Sequence, residues 1–310
     1  MVSADSERLE VVVPAADAGQ RLDQFVLAQL PGYGRRGTTR LFEEGRVEID
    51  GNPGKKGMKL RAGQRVSVRV PKVDPLEAQP ELALDLRLVR TDLVVVDKAA
   101  GMPSGAVRAG DRDTLAAALL GRFPEMRGVG FNEREPGLVH RLDTFTSGLL
   151  LAARSQEVFG ELRNALLQGQ LSKRYAAVVA DRDVPASCSI DAPLLPHRTN
   201  RRKVSVLPDD SRDGRPAITR FSVVRRQHGL ALLELSVGAA YRHQIRAHLA
   251  SRGWPIVGDT LYGAEPCADL APGRHALHAC YMRCTGSRVP DFEVESPLPS
   301  DMVELLGAAS

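Results

Sequence analysis

The chain has 310 residues, 43% of them hydrophobic, with a formal net charge of +4 and four cysteines. That length predicts two domains rather than one, and the absence of any run of about 18 apolar residues argues against a membrane-spanning helix or a membrane partner. Met1–Gln20 lacks a basic start followed by an apolar stretch, and Cys188, Cys267, Cys280 and Cys284 are too few and scattered for a disulfide scaffold; neither a secretory leader nor an oxidising compartment is expected, so the cytoplasm is the predicted location.

In chain order, Leu9–Val13 alternates as a short strand. Arg21–Leu30 places Leu22, Phe25, Val26 and Leu30 on one helical face. Gly32 and Gly34 break the chain, and Thr38 is placed to cap a second helix ended by Gly45. Arg46–Ile49 reads as a strand, Asp50-Gly51 as a hairpin turn, and Gln64–Val70 as a strand with Val66, Val68 and Val70 inward. These elements define a compact unit over residues 1–70. Residues 71–83 begin with a proline- and acid-rich stretch, Pro71–Pro80, read as a stiff linker. Residues 84–310 then hold strands at Leu93–Val96, Leu149–Ala152, Tyr175–Ala180, Ile218–Arg225 and Ala231–Val237. Helices are predicted at Thr114–Leu120, from Ser155 to Gly169, and over Tyr241–Arg252. The mix implies an α+β domain with a mainly antiparallel mixed sheet.

Leu138–Ala152, LVHRLDTFTSGLLLA, sets one acid, Asp143, between two apolar segments, with His140, Arg141, Thr144, Thr146 and Ser147 around it. A carboxylate there is costly unless a cation or several hydrogen bonds compensate. From the residues alone, a turn-capping role and a chemical role both stand. Between Pro196 and Arg252 twelve basic residues face four acids, a surface suited to a polyanion such as RNA; the bland reading is a solvated loop. Within it Arg201, Arg202 and Lys203 are the RNA-facing candidates.

The pattern His140-Arg141-Leu142-Asp143 followed by Thr146-Ser147-Gly148 and an apolar strand resembles the active-site loop of the RluA-type pseudouridine synthases. Two further segments resemble the same family. One is Lys173-Arg174-Tyr175-Ala176-Ala177-Val178. The other is His243-Gln244-Ile245-Arg246 with Gly258-Asp259 and Tyr262-Gly263. Residues 1–70 are similar to the S-four-type αL RNA-binding domain, through Arg21-Leu22-Asp23, Arg35-Arg36, Gly45-Arg46-Val47 and Asp50-Gly51. That similarity implies RNA contacts from Arg35, Arg36 and Arg40.

The resemblance implies isomerisation of uridine to pseudouridine in RNA by a monomer, with no metal or organic cofactor. Ribosomal RNA is favoured over transfer RNA by the N-terminal module. Asp143 would act at the ribose, as nucleophile or base. Tyr175 would stack on the base and assist loss of its C5 proton. Arg246 would clamp Asp143 with its guanidinium and favour the charged carboxylate. Arg141, His140, Thr146, His243 and Gln244 would hold the extruded nucleotide, whose unstacking costs a few kcal/mol.

Three departures from the family pattern are present. Ala239-Ala240-Tyr241-Arg242 replaces a Thr-Gly-Arg-Thr segment, Asp97-Lys98-Ala99-Ala100-Gly101 replaces Asn-Lys-Pro-x-Gly, and Pro103–Ala106 lacks a histidine. They motivate a rival expectation, a non-catalytic RNA-binding or ribosome-assembly factor on the same scaffold. A two-carboxylate glycosidase is a third, and it lacks an obvious second acid. His275, His278, Cys280 and Cys284 match no standard zinc spacing, and alternation of the last three predicts a strand.

Overall fold

The computed structural model describes residues 6–30, 35–71, 75–108, 110–238 and 240–307, with only the backbone described for residues 6, 7, 35, 36 and 71. The N-terminal elements are β1 (Ser6–Val12), α1 (Leu22–Gln29), α2 (Arg35–Glu43), β2 (Val47–Ile49), β3 (Asn52–Pro53) and β4 (Arg65–Pro71). Their sheet runs β1-β4-β2-β3 and is antiparallel throughout. Leu22, Phe25 and Val26 of α1 meet Val47, Ile49, Val66 and Val68 in a separate small core. The Asp50-Gly51 turn forms as read: both residues have positive φ, 50° and 81°, as a tight two-residue hairpin requires. The Asp50 carboxylate also accepts the Arg65 N–H at 2.8 Å. Helix α2 starts at Arg35, so Thr38 is a buried interior residue instead of a cap; Gly32 and Gly34 lie outside the described residues.

The stretch read as a stiff linker is anchored along its second half. Leu76 is buried in the main core, and Gln79 is tied to Ala117 and Asp113 at 3.0 and 2.8 Å. Proline and acid content suggested a solvated spacer, but two side chains of this segment have partners across α3, which the local pattern does not reveal.

The remaining strands are β5 (Asp85–Val89), β6 (Leu93–Lys98), β7 (Ser147–Ala153), β8 (Leu171–Ala180), β9 (Ser187–Asp191), β10 (Leu194–Pro196), β11 (Val204–Val206), β12 (Ile218–Gln227), β13 (Leu230–Val237), β14 (Leu277–Cys284) and β15 (Phe292–Glu295). Helices are α3 (Leu115–Arg122), α4 (Gln156–Leu167), α5 (Gln244–Ser251) and α6 (Ser300–Leu305). One nine-stranded sheet runs β5-β6-β7-β14-β8-β13-β12-β9, with β15 paired to β14; β10 and β11 form their own ribbon. Among the described residues only β7 and β14 pair in parallel, at His278↔Ser147 and Ala279↔Gly148. This is the α+β, mainly antiparallel sheet expected. Side chains of α3, α5 and α6 pack into one core and those of α4 into the other, so β7 is buried on both faces and reads as an unbroken apolar run.

This topology places the segments carrying the motifs side by side. The Asp143 loop enters β7, Tyr175 lies on β8 opposite Ala279, and β14 sits between those two strands. Gly148 makes the parallel pairing possible: its φ is +111°, and a Cβ would lie 2.3 Å from the Ala279 carbonyl oxygen. Gly148→Ala should therefore cost roughly 3 kcal/mol or prevent folding. Gly160, inside α4 with open space around it, should gain about 0.5–1 kcal/mol as Gly160→Ala. Urea denaturation of both variants checks the pair; a neutral Gly148→Ala would refute the close-approach explanation.

Candidate active site

The Asp143 loop is fixed by bonds to almost every neighbour of the acid. Ser104 Oγ donates to the Leu142 carbonyl at 2.8 Å and accepts the Leu142 N–H at 3.1 Å. The Thr144 carbonyl accepts from Gly101 N at 2.9 Å and from Lys98 Nζ at 3.1 Å. Arg274 Nη1 donates to the Phe145 carbonyl at 2.8 Å, and Arg274 Nη2 to Ser147 Oγ at 3.1 Å. Thr146 Oγ1 is bonded to His275 Nε2, and Ser147 Oγ to His278 Nδ1, each at 3.0 Å. The Thr146 N–H closes the turn onto the Asp143 carbonyl at 3.1 Å.

The Asp143 side chain meets Arg246, whose Nη1 donates to Oδ2 at 2.8 Å. Arg246 is buried on α5 and is also forked onto Asp259: Nε and Nη2 reach its two carboxylate oxygens at 2.7 and 2.9 Å. Burial opposes the arginine's charge, but the bonds and charges of Asp259 and Asp143 outweigh it and push its pKa further up. One buried cation thus serves two carboxylates. The aromatic face of Tyr262 lies 5.2 Å from the guanidinium carbon.

His243 precedes α5 in the left-handed conformation, φ 55°, so the helix begins at Gln244 rather than at Tyr241 as the periodicity suggested. Such a backbone costs about 1–3 kcal/mol for a side chain of this kind and persists where surroundings enforce it. Here the ring is bonded through Nδ1 to the Tyr262 hydroxyl at 3.1 Å, with Nε2 3.6 Å from Asp143 Oδ1. Burial pushes its pKa down to about 4 despite the nearby Asp143, so the ring is neutral at pH 7. Tyr262 accepts the Val204 N–H at 2.9 Å, which ties the β10–β11 ribbon to the site.

Tyr175 is buried, and burial together with the negative charge of Asp143 and the Cys280 thiol raises its phenol pKa. It is a neutral phenol at physiological pH. Lys98, also buried, donates to the Ala99, Met102 and Thr144 carbonyls; burial brings its pKa down to about 7, partly countered by Asp143.

The other expected substrate contacts are placed differently. His140 Nε2 accepts the Leu151 N–H at 3.3 Å, so that edge of the ring faces the sheet. Arg141 is exposed and paired with Glu135 at 2.7 Å. Thr146 is buried against His275, and Gln244 is held by Tyr241 N, the Ile218 carbonyl and Thr219 Oγ1. Thr146 and Gln244 therefore fasten the framework. Arg201 and Arg202 are exposed in the turn between β10 and β11, and Lys203 Nζ lies 5.7 Å from the Tyr262 ring centre. Arg242, the displaced arginine before His243, donates to the Arg201 carbonyl at 2.8 Å; Ala239 lies outside the described residues. Arg40 is exposed and paired with Glu44 at 2.6 Å, while the side chains of Arg35 and Arg36 lie outside the described residues.

Asp259, Tyr262, Lys98, Arg274 and Ser104 are the residues sequence reasoning left without a role. Asp259 and Tyr262 were visible as motif letters, and Lys98 as the centre of an altered motif. Arg274 carried no signal: its partners are backbone carbonyls far away in sequence. His278 is bonded to Ser147 and Ser296, and Cys280 Sγ donates to the Arg174 carbonyl. Among the described residues, no three His, Cys, Asp or Glu side chains converge to hold a metal.

Burial lowers the pKa values of His243, His248, His275 and His278. The folded state thus prefers the neutral rings. Their contribution is complete above the ordinary histidine range near 6.5 and is lost as pH falls below it toward 4, at up to ~1.4 kcal/mol per pH unit for each ring. Urea denaturation from pH 7.5 to 4.5 should show stability falling on the acid side, less steeply in His275→Gln. A flat profile would contradict the neutral-ring assignment.

A family model described as RNA pseudouridylate synthase matches residues 92–251. An uncharacterized RNA pseudouridine synthase of Chloroflexus aurantiacus is 35% identical over 300 residues, covering 96% of this chain and 92% of its own. A protein of Nitrosomonas europaea named ribosomal large subunit pseudouridine synthase D is 31% identical, over 97% of this chain and 87% of its own. The solved structure of human RNA pseudouridylate synthase domain containing 1 shares the fold, with a TM-score of 0.56 and 23% identity over 73% of this chain and 96% of that one. The chain carrying this Asp143–Arg246–Asp259 arrangement belongs to the RNA pseudouridylate synthase family, enzymes that isomerise uridine in RNA to pseudouridine.

Proposed function

We propose that Asp143 is the residue that attacks the target nucleotide, with Tyr175 and Arg246 as its partners and a uridine of large-subunit ribosomal RNA as its substrate. The observation that supports the site is the 2.8 Å contact between Asp143 and an arginine already forked onto Asp259. A carboxylate so held has one oxygen fixed and the other, Oδ1, 3.6 Å from the neutral His243. Asp143 acts at the ribose, either by bonding to the anomeric carbon or by taking the neighbouring ribose proton. The C1′–N1 bond breaks and the base turns. C5 then bonds to C1′ as the Asp143–C1′ bond breaks or as the ribose proton is returned, and the C5 proton leaves while N1 gains one. Tyr175 offers an aromatic face on which the freed base stays stacked while it turns. As a neutral phenol it has an oxygen lone pair, so it relays the C5 proton rather than removing it as a phenolate.

The ribosomal assignment rests on the name of the Nitrosomonas europaea relative and on the N-terminal unit. Its two helices on a small antiparallel sheet are the arrangement expected of an αL RNA-binding domain. Arg35, Arg36 and Arg40 of α2 would face RNA there. The turn carrying Arg201, Arg202 and Lys203 contributes a second basic surface, tied to the site through Tyr262. Phosphate contacts from both surfaces offset the cost of unstacking the uridine.

Asp143→Asn should lower single-turnover pseudouridine formation by at least about 10³-fold while leaving RNA affinity within a few-fold. Tyr175→Phe keeps the stacking face and should retain RNA binding with a slower chemical step. Mass-shift labelling of unmodified large-subunit ribosomal RNA transcripts reads both; wild-type turnover by Asp143→Asn would refute the assignment.

A further inference from the structure

A cleft of about 550 Å³ lies away from the Asp143–Arg246 pair, between residues 75–78 and the loop after Ser104. Four arginines line it, Arg108, Arg112, Arg127 and Arg134, against two acids, Glu77 and Asp111. Both acids are engaged locally. Glu77 pairs with Arg112 at 2.6 Å, and the Asp111 carboxylate accepts the backbone N–H groups of Val107 and Arg108 at 2.8 Å each. Among the described residues the other three arginines form no close ion pair, although the Asp111 carboxylate is near enough to feel the charges of Arg108 and Arg134. Arg127 makes one long bond, 3.4 Å, to the Leu76 carbonyl. Arg134 donates from Nη1 to the Val107 carbonyl at 3.1 Å, and its Nε is buried without an acceptor. Arg108 and Arg127 are exposed.

The walls are fixed. Leu76 is buried and Gln79 is bonded to Ala117, which holds one side. On the other side the Ala106 N–H donates to the Arg134 carbonyl at 3.3 Å, and Gly105 packs so closely on Glu135 that a Cβ would lie 2.5 Å from its side chain. Glu135 in turn pairs with Arg141, two residues before Asp143. One wall of the cleft is thus linked, through Glu135 and Arg141, to the loop that carries Asp143.

We propose that this arginine cleft is a binding site for the phosphodiester backbone of the substrate RNA, engaging the strand as it runs away from the extruded uridine. This rests on the reading of the protein as an RNA-modifying enzyme. Guanidinium groups bind phosphate oxygens through paired N–H donors, and four arginines against two acids on one cleft supply more positive charge than its walls neutralise. The link of its wall to the Asp143 loop through Glu135 and Arg141 favours the substrate strand over an acidic protein segment. The segment joining the N-terminal unit to the catalytic sheet would then be part of the substrate surface as well as a connector.

The test measures the affinity of the full-length protein for an unmodified transcript of large-subunit ribosomal RNA across a range of sodium chloride concentrations. Arg108→Gln combined with Arg127→Gln should weaken binding about tenfold and reduce the log–log salt slope by roughly 1.5, the loss of about two phosphate contacts. The rate at saturating RNA should be unchanged. Arg112→Gln, whose guanidinium is already paired with Glu77, should stay within about twofold of wild type. Because Arg108 is exposed, Arg108→Gln alone provides a folded variant if the double variant is destabilised. Wild-type affinity and salt slope in a folded double variant would overturn the proposal, and so would an equal loss in Arg112→Gln, which would signal a general charge effect. If wild-type protein formed no pseudouridine while RNA binding still depended on Arg108 and Arg127, the enzymatic reading would fail and the cleft would stand.

Discussion

Arg246 is one buried cation shared between two carboxylates, and the site is arranged around that shortage. Both Asp259 and Arg246 are almost fully removed from water, so each would be strongly destabilising without the other. The fork onto Asp259 uses Nε and Nη2 and fixes the guanidinium plane. Nη1 is then directed at Asp143 with little freedom. Asp143 is more accessible than either partner, as its proposed contact with the target nucleotide requires. The proposed chemistry needs the charge of Arg246, and the fold needs Asp259 to keep that charge buried.

The backbone of the Asp143 loop is held with comparable redundancy. Lys98 and Ser104, from the end of β6 and the loop after it, and Arg274, just before β14, bond Leu142, Thr144, Phe145 and Ser147. His275 and His278 secure the adjacent hydroxyls as neutral rings. The parallel contact of β7 with β14, possible only because Gly148 has no side chain, sets the depth at which the loop meets Tyr175. Preorganisation of this kind lets a single carboxylate act without rearrangement when the base arrives.

The parts legible in the sequence share a physical character. Helices α1 and α4 announce themselves because burial imposes a period on their apolar residues, and strands β7 and β13 because they are near-continuous apolar runs. The Asp143, Tyr175 and Arg246 segments were legible as motifs, and the sheet topology brings two of them onto strands flanking β14. Strand β5 was missed because its inward residues, Leu86 and Leu88, alternate with charged ones in a stretch that begins as a proline-rich connector. Arg274 and Lys98 were missed as site-builders because their partners are carbonyl oxygens, which every residue carries and no sequence marks. Thr146 and Gln244 were read as substrate contacts from their positions inside motifs. Their hydrogen bonds instead join the loop to His275 and helix α5 to β12.

In the proposed chemistry Asp143 works because Asp259 holds Arg246 in place, without Asp259 itself touching RNA. Single-turnover pseudouridine formation by folded Asp259→Asn protein, at saturating unmodified ribosomal RNA transcript, tests it most directly. The account predicts a rate reduced by about 10²-fold or more with RNA affinity unchanged, since a loosened guanidinium misplaces the reactive carboxylate. A wild-type rate in that variant would contradict it.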